Sequence, residues 1–479
     1  MNTQASLFYL IFIPLLGALI LPLIGRISSF LRNILALTLT IVPLVLSLSL
    51  WQPVVREGAI ISNLALPLGL NLNLQADGLA VFMAVVASFI SAVIVIYSFS
   101  YLAHYKNQNE YYCMVVLFVA AMMGLVYSAN LIFLYLFWEL TAIASWRLIG
   151  FFRNKEYVLK ADKAFMVTVF GALLMLFGFI MIYTQTGSFD IYVIREVLKA
   201  KPLSGVIIVL ILAGIFSKSA ILPFQTWLPD AGVAPSPVTA LLHAAVLVKI
   251  GVYVFARLFI VSFPLVDFWL NAVLLIAGAS TLISAGCAFL ENDLKRIIAY
   301  STVSQIGFIF LGLASGTSIG LLGGLLYILI HGLGKAGLFL CAGVIEQNSG
   351  TKDINKLGGL IKTMPFTAAA FLICAFSIMG VPPTGGFFSK YMVLAGAFAG
   401  KHYLIAWIFL AGAVFTVLYL LRVFCVVFLG ELKIDAREGT RSMISCIVLL
   451  AVLSIAAGIF IGYLSAPLDN ITKQMVALK

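Results

Sequence analysis

Residues Ile215–Asp230 read IFSKSAILPFQTWLPD, and this stretch combines a lysine with a helix-breaking proline inside an apolar region. It follows the run GVIIVLILAG at residues 205–214, so Lys218 is expected to lie at membrane depth. Pro223 has no amide hydrogen, and a proline ring disturbs the carbonyl four residues back. The stretch therefore predicts a transmembrane helix that is broken beside a buried lysine.

The composition of the whole chain indicates a membrane protein. Of its 479 residues, 63% are hydrophobic and only 10% are charged, against about 25% charged residues in soluble domains. Apolar runs long enough to cross roughly 30 Å of hydrocarbon recur along the sequence. These properties exclude a soluble globular protein. The first run, residues 7–24, has no basic residue before it, and we expect it to be a span rather than a signal peptide.

The sequence predicts an all-α polytopic membrane protein with about fourteen transmembrane helices. Two of them are expected to be broken, near residues 215–232 and 376–392. Prolines and glycines cause the two breaks: Pro223 in the first, and Pro382, Pro383, Gly385 and Gly386 in the second. Residues 51–76 alternate polar and apolar residues and are predicted to lie extended on the membrane surface.

A repeated word predicts internal symmetry. Phe-Ser-Lys at residues 216–218 recurs at 388–390, and five predicted spans lie in each interval. Because five is odd, a repeat of that period would be inverted in the membrane. The sequence therefore predicts two inverted five-helix repeats, which would occupy residues 111–260 and 268–429. Residues 1–110 would hold the N-terminal helices and the surface segment, and residues 430–479 a loop and the last helix.

The distribution of lysine and arginine predicts the orientation in the membrane. Loops after odd-numbered spans hold about fifteen of these residues, whereas the other loops and the termini hold about eight. Because cytoplasmic loops carry the excess, both termini are predicted to lie on the non-cytoplasmic side of the cell membrane. This topology accounts for most of the net charge of +11. The scattered basic residues do not indicate a nucleic-acid partner.

No cofactor motif is present in the sequence. The six cysteines lie in apolar runs without CxxC spacing, and we expect small buried side chains. There is no GxGxxG, Walker loop or HExxH. The sequence therefore predicts no cofactor and no metal in this chain. Iron–sulfur or other redox centres are expected only on partner subunits.

A few ionisable residues interrupt the predicted spans. Each costs roughly 2.5–3.5 kcal/mol at a helix centre on insertion scales, so each needs a reason. They are Glu139, Lys218, His243, Lys249, His331, Lys335 and Lys390. A lysine can lose its proton when buried, whereas an arginine cannot. This set predicts a proton relay that includes an ion pair between Glu139 and Lys218; the alternative is a set of static charges that pin helices together.

Spacing along the helices refines this prediction. His331 and Lys335 are four residues apart, so they share one helix face about 6 Å apart along the axis. His243 and Lys249 are six residues apart, and an unbroken helix would put them on different faces. They can belong to one site only if the helix bends between them. His243 is therefore a weaker candidate for the relay than the lysines.

Five segments of this sequence resemble the antiporter-like proton-translocating subunits. That family includes membrane-arm subunits of respiratory complex I, the large subunits of Mrp cation/proton antiporters, and membrane subunits of membrane-bound hydrogenases. The segments are FWELTAIAS (137–145), KSAILPFQTWLPDAGVAPSPVTALLHAAVLVKIGVY (218–253), DLKRIIAYSTVSQIGFIFLGL (293–313), HGLGKAGLFLCAG (331–343) and GGFFSK (385–390). Arg147 departs from the family pattern, and we expect it to anchor the chain at the interface or to reach a partner.

The resemblance implies a role for each buried ionisable residue. It assigns the relay to Glu139 of the fifth helix, Lys218 of the broken seventh, Lys249 of the eighth, His331 and Lys335 of the eleventh, and Lys390 of the twelfth. In the family these positions form a hydrated polar axis along the membrane plane. The twelfth-helix position is lysine in some branches of the family and glutamate in others.

The resemblance further implies a subunit of a redox-driven complex, such as a membrane-bound hydrogenase or a complex I-like enzyme, that translocates protons or sodium ions. The chain itself would carry no redox chemistry within that oxidoreductase or translocase. Its partners would be other membrane subunits, including homologous antiporter-like ones, and peripheral redox subunits. The first alternative is a subunit of a Mrp-type cation/proton antiporter without a redox partner. A stand-alone solute carrier and a structural subunit with inert charges are the others.

Overall fold

The computed structural model describes residues 3–67, 71–200, 202–263 and 265–477. These residues are mostly helical, which confirms the predicted all-α membrane class. Within them, twelve helices are long and apolar enough to cross a membrane. Two shorter apolar helices, Gly205–Ser219 and Pro365–Met379, belong to the predicted breaks. Twelve continuous helices and two broken ones would together make the fourteen spans expected from the sequence.

The helices follow one another through short connections. The first half contains α1 (Thr3–Ile27), α2 (Ser29–Glu57), α3 (Gly78–Tyr101), α4 (Gln108–Tyr127), α5 (Leu131–Ile149), α6 (Lys155–Thr186), α7 (Ile191–Leu198), α8 (Gly205–Ser219), α9 (Trp227–Asp230), α10 (Ser236–Ala240) and α11 (Leu247–Phe255). The second half contains α12 (Asp267–Leu290), α13 (Leu294–Ala314), α14 (Ser318–Ser349), α15 (Pro365–Met379), α16 (Gly385–Ala399), α17 (Tyr403–Phe428), α18 (Arg441–Ile459) and α19 (Ile461–Ala477). The C-terminal region thus holds two helices, where the sequence predicted one.

Polar residues begin several of these helices. The first amide hydrogens of a helix have no partner within it, and a side-chain oxygen just before the helix can accept from them. Such N-caps are Ser28 before α2, Asp77 before α3, Asn130 before α5, Asn154 before α6 and Asp293 before α13. The boundaries of the spans are therefore determined by local sequence.

The predicted surface segment is a small β-hairpin. Strand β1 (Ile60–Ala65) pairs antiparallel with β2 (Asn71–Ala76), and residues 68–70 between them lie outside the described residues. Residues 51–57 belong to α2, so the segment is shorter than predicted. The helix continues past Pro53 because one proline removes a single backbone hydrogen bond and need not end a helix.

Two groups of loops define the ends of the helix bundle. The hairpin face contains β1 and β2 together with the second half of α19, where Ile471 packs against Gly78. The loop face contains residues 102–107 and 350–359, and Gln347 at the end of α14 donates to the carbonyl of Tyr101 at 3.3 Å. Which face is cytoplasmic stays a prediction from the basic residues.

The most buried helices lie at the centre of the bundle. The segment Ser236–Ser262 is entirely buried, and α3, α4, α13 and α14 are nearly so. Only about a third of the apolar length of α1, α2 and α17 is buried, so these helices are peripheral. Every predicted relay lysine except Lys218 lies on or against the central helices. The fold therefore places these amines far from the lipid.

The two breaks confirm the prediction and share one backbone pattern. Helix α8 ends at Ser219, and Ala220 takes a left-handed conformation with φ of 53°. Helix α15 ends at Met379, and Gly380 takes the same conformation with φ of 85°. The first break begins three residues before Pro223, so a left-handed cap ends the helix and the proline only prevents it from resuming.

The number of residues that separates the two breaks differs from the number that separates the two copies of the Phe-Ser-Lys word. Ile221 donates to the carbonyl of Phe216 at 3.0 Å, and Val381 donates to that of Phe376 at 2.9 Å. These pairs are offset by 160 residues (376 minus 216), not by the 172 of the repeated Phe-Ser-Lys word (388 minus 216). The word therefore falls at different places in the two breaks. Lys218 precedes the first break, whereas Lys390 follows the second.

A second pair of features supports an inverted repeat. Asn130 and Asp190 form an isolated β-bridge next to the hairpin, and Asp293 and Asp353 form another beside the loop face. Both members are offset by 163 residues (293 minus 130, and 353 minus 190). The two bridges lie on opposite faces, as inversion requires. The repeat and the domain boundaries stay predictions.

Candidate ion-translocation site

Lys218 lies at the end of α8 and is completely buried. Its Nζ donates to the carbonyl of Trp138 at 3.3 Å and lies 5.4 Å from the centre of that indole ring. Glu139, the next residue, is half-buried, and its Oε1 forms no hydrogen bond with any described residue. The amine thus donates to the backbone next to Glu139, and the two charged groups interact through space without a direct hydrogen bond. The carboxylate lies close to this site but does not pair with the amine.

A widened helical turn positions Lys249. Between α10 and α11 the residues Leu241–Ala245 form a π-helical turn, and Val246 leaves helical geometry with φ of −127°. The Lys249 amine turns back and donates to the carbonyl of Ala244. π-Turns of this kind are frequent at functional sites. The helix thus bends between His243 and Lys249, which was the condition for their belonging to one site.

Both predicted histidines are buried without hydrogen-bond partners. His243 packs on Phe339 with ring centres 4.5 Å apart, and His331 lies 6.0 Å from the ring of Tyr327. Neither nitrogen of either histidine bonds to a described residue. The two side chains are fully enclosed. Buried polar groups in proteins nearly always have partners, so these nitrogens are candidates for bonding internal water.

Helix α14 brings Lys335 to a hydroxyl network on α13. The Lys335 Nζ donates to Ser301 Oγ at 2.6 Å and to the carbonyl of Ile298 at 3.0 Å. Tyr419 of α17 donates to the same serine at 2.7 Å. A serine hydroxyl can both donate and accept, so it can bond to either form of the amine.

Lys390 reaches back across the second break. Its Nζ donates at 2.6 Å to the carbonyl of Ile378, in the last turn of α15. That carbonyl has no partner within its own helix, since the helix ends one residue later. The amine also lies 4.6 Å from the ring centre of Phe308 and 5.6 Å from that of Tyr327. Pro382, Pro383, Gly385 and Gly386 follow the left-handed cap at Gly380, and the last two belong to the first turn of α16.

The four buried lysines share one chemical environment. Each amine donates to a backbone carbonyl, and within the described part of the chain none forms an ion pair with a carboxylate. A carbonyl accepts a hydrogen bond from a charged ammonium or from a neutral amine. A carboxylate would instead favour the charged form strongly. These contacts are therefore compatible with either protonation state of each lysine.

Two other buried cations are paired with carboxylates. Arg257, which the sequence analysis did not single out, donates to both carboxylate oxygens of Asp77, at 2.5 and 2.7 Å. Lys295 binds Glu346 at 2.9 Å. Burial opposes ionisation of Asp77, but the Arg257 guanidinium outweighs it and holds the pKa of this carboxyl below its usual value. The four lysines thus differ from Arg257 and Lys295, whereas Arg32 also donates only to uncharged oxygens, those of side-chain amides.

Arg147 finds its partner within the chain. Its Nε donates to Glu110 Oε1 at 2.6 Å, and Arg153 donates to the other oxygen of the same carboxylate at 2.6 Å. Both arginines belong to the loop face. The contact of Arg147 is therefore intramolecular, and its position at the membrane interface stays a prediction.

Sequence reasoning missed the polar residues that surround Lys335 and Lys390. Tyr327 donates to Gln305 Oε1 at 2.6 Å, and Gln305 Nε2 donates to Thr416 at 3.1 Å. Ser301 and Gln305 both come from the word YSTVSQIG, which carried the resemblance but received no role. Their four-residue spacing puts them on one face of α13, and this spacing was the available signal.

The remaining sequence predictions concern metal ligands and the burial of the cysteines. Among the described residues, no cluster of three or more His, Cys, Asp or Glu side chains could hold a metal ion. Cys113, Cys341, Cys374 and Cys446 are buried as expected. Cys425 is exposed and Cys287 is half-buried, because the predicted burial took no account of helix faces that point away from the protein core.

Comparison with known proteins places this fold in a family. A family model described as NADH:quinone oxidoreductase/Mrp antiporter, TM, matches residues 128–416. A second, described as NADH-Ubiquinone oxidoreductase (complex I), chain 5 N-terminus, matches residues 65–112. The first covers more than half of the chain, including every predicted relay residue.

Curated relatives and solved structures agree with this match. The Na(+)/H(+) antiporter subunit A1 of Staphylococcus aureus is 35% identical over 95% of this chain, and the chain spans 61% of the length of that relative. A chain of the Mrp complex from Dietzia sp. DQ12-45-1b has a similar fold, with a TM-score of 0.91, 22% identity and coverage of 99% of this chain and 98% of that one. A chain of the membrane-bound sulfane sulfur reductase, an archaeal respiratory membrane complex, has a TM-score of 0.89, 23% identity and the same coverage. The broken helices and the long family match lead to one conclusion: this chain is a multi-pass membrane protein that belongs to the NADH:quinone oxidoreductase/Mrp antiporter family.

Proposed function

We propose that this chain is an ion-translocating subunit of a larger membrane complex and that it moves protons along its buried lysines and histidines. The observation that supports this proposal is the bonding of four buried lysines to carbonyl and hydroxyl oxygens without a carboxylate. Lys295, a buried lysine outside the relay, is paired with Glu346, whereas the four relay lysines donate only to uncharged oxygens. A relay needs groups that remain hydrogen-bonded in both protonation states.

The relay would have two parts. Glu139 and Lys218 form the first, close to the first break. Lys249, His331, Lys335 and Lys390 form the second, in the centre of the bundle and at the second break, with His243 as an additional member. The unpartnered histidine nitrogens are suited to bonding with water molecules between the lysines. A proton would then pass from amine to amine through these waters and through the hydroxyl of Ser301.

Two kinds of complex, which differ in their energy source, are candidates for the assembly that contains this chain. A cation/proton antiporter is favoured by the curated relatives, which are named as Na(+)/H(+) antiporter subunits. A redox-driven complex is the second candidate, because the fold also occurs in an archaeal respiratory membrane complex. In either complex the chain would have neighbouring membrane subunits, some of them homologous to it. Redox centres, where present, would be held by peripheral partners, and the coupling ion would be a proton, or a proton exchanged for sodium.

The central test is the substitution Lys335→Met. Methionine is similar in length and cannot carry a proton, so the relay should be interrupted and ion transport should fall at least about tenfold, as for loss of a group worth ~1.4 kcal/mol or more. Lys362→Met is the matched control, because Lys362 is exposed at the loop face. Transport would be measured as pH-dependent dye fluorescence in vesicles that contain the assembled complex. Normal transport by a fully assembled Lys335→Met complex would rule out the relay.

A second measurement separates the two energy sources. The purified complex is reconstituted in vesicles, and either a sodium gradient or an electron donor is supplied. Proton movement driven by the sodium gradient alone supports the antiporter. Proton movement that requires the electron donor, with redox centres in the purified complex, supports the redox-driven assembly and contradicts the antiporter.

A further inference from the structure

An open cavity of about 670 Å³ lies at the loop face, away from the relay. It forms where the turn between α1 and α2 meets the start of α4. The turn contributes Arg26, Ser29 and Arg32, and the start of α4 contributes Gln108, Asn109 and Glu110. All six side chains are polar, although α1 and α2 are peripheral helices with mostly apolar surfaces.

Arg26 is an available cation at this cavity. Its side chain is exposed at the end of α1, and no described residue forms a hydrogen bond or an ion pair with it. Arg32 is only 4% exposed. Its guanidinium donates to Asn33, Gln108 and Asn109 at 2.6–3.1 Å, which uses four of its five donors. The buried guanidinium is therefore held rigidly by neutral amides, and it keeps its full positive charge.

The single carboxylate at the cavity does not neutralise the positive charge of Arg26 and Arg32. Glu110 already binds Arg147 and Arg153. Arg26, Arg32 and Glu110 line the cavity, and Arg147 and Arg153 bind Glu110 from outside the lining, so these five residues together carry a charge of +3 (4 minus 1). A concave site with this excess of arginine, which binds phosphate in a bidentate manner, is complementary to a phosphate group.

The apolar surroundings favour a phosphate that is attached to acyl chains over a free phosphate ion. Leu23, Ile27 and Phe30 flank the turn, and 57–79% of each side chain is exposed. These side chains would lie in the hydrocarbon next to the cavity. A lipid headgroup therefore meets the arginines while its acyl chains contact the exposed face of α1 and α2. Basic pockets between transmembrane helices bind anionic headgroups in this way.

We propose that this cavity binds the phosphate of an anionic phospholipid. Arg26 contacts the phosphate from the membrane side, Arg32 supplies fixed charge from below, and Ser29 and Asn109 lie within reach of headgroup oxygens. The proposal does not depend on ion translocation, because none of these residues belongs to the relay. A phospholipid headgroup and inorganic phosphate would contact the arginines in the same way, so the test includes the free phosphate ion.

The test uses the assembled complex in phosphatidylcholine vesicles that contain a photoactivatable phosphatidylglycerol. After illumination, peptide mass mapping identifies the labelled segments. We expect labelling of residues 22–33 and 107–114 by this probe, and much weaker labelling by a photoactivatable phosphatidylcholine. Arg26→Gln should reduce the labelling about fivefold, which corresponds to ~1 kcal/mol for one basic residue at the membrane surface. Arg26→Glu should reduce it further.

Two control variants make the outcome specific. Arg26→Lys keeps the positive charge and should keep most of the labelling. Arg437→Gln removes an exposed arginine elsewhere on the loop face and should change nothing. Equal labelling by the two probes, or unchanged labelling of Arg26→Glu, would overturn the proposal. Loss of labelling when inorganic phosphate is added would assign the site to the free ion, and absence of labelling because a partner subunit covers the cavity would also overturn it.

Discussion

Replacing Gly332 with alanine should displace the amine of Lys249 from its acceptor. A Cβ atom at position 332 of α14 would lie 2.5 Å from Lys249 Nζ and 3.2 Å from the carbonyl oxygen of Ala244. Non-bonded heavy atoms prefer separations of about 3.5 Å or more, so the amine would have to move by roughly 1 Å. The backbone carbonyl cannot follow it. The hydrogen bond between Lys249 and Ala244 is therefore lost or greatly weakened.

The size of the effect follows from that bond. A hydrogen bond to a charged group contributes about 1.5–3 kcal/mol, so the present geometry would become roughly ten- to a hundredfold less populated. Alanine also favours a helix over glycine by about 0.5–1 kcal/mol, which offsets part of this cost. We therefore expect Gly332→Ala to fold and assemble, and its ion transport to fall about tenfold or more. Ile90 also approaches position 332 within 2.5 Å, and its flexible side-chain end can rotate away.

Gly334→Ala is the matched control in the same helix. A Cβ atom there would approach Ile378 side-chain atoms at 2.9 and 3.1 Å and would meet no ionisable group. These atoms are the flexible end of the Ile378 side chain, which can rotate away and leave in place the Ile378 carbonyl that accepts from Lys390, so this variant reports the effect of a stiffer, more crowded helix. Transport would be measured in vesicles, and assembly by thermal unfolding of the purified complex. Equal transport by the two variants would refute the role of Lys249, and an unfolded Gly332→Ala protein would refute the claim that its neighbours can yield.

Three further substitutions test other parts of the site. Glu139→Gln should leave assembly intact and reduce transport about tenfold or more, since the carboxylate can no longer exchange a proton; normal transport in vesicles would contradict its role. Lys390→Met should reduce transport in the same assay, and Lys390→Glu should be milder, because glutamate can also carry a proton; equal losses would contradict this. Asp77→Asn should destabilise the protein by about 3–5 kcal/mol in thermal unfolding, because it leaves Arg257 buried without a partner. The pKa of Asp77 is lowered in the folded protein, so the stability that this carboxylate contributes is present above the unfolded pKa of about 3.9 and is lost as the pH falls through the folded pKa. If Asp77→Asn lost stability at low pH in the same way as the original protein, this reasoning would be wrong.

Much of the fold could be predicted from sequence because the membrane imposes local rules. A span must be apolar along about 20 residues, and a charge within it is costly wherever the other helices lie. Lys218, Lys249, Lys335 and Lys390 were therefore visible as candidates before any contact was known. The breaks were visible for the same reason, since proline and glycine act on their own helix. Arg257 was missed although it followed the same rule.

Only the tertiary structure decided what each buried group contacts. The sequence paired Lys218 with Glu139 on charge alone, whereas helix packing brings the amine to the carbonyl of Trp138. The π-turn before Lys249 leaves no clear pattern in the sequence, because it depends on how the central helices pack around it. The offset of 160 residues between matching hydrogen bonds at the two breaks also came from the backbone, not from the repeated word. The cost of burying a charge is local and can be read from one helix, but the partner of that charge is set by distant segments, which are brought together only when the whole bundle packs.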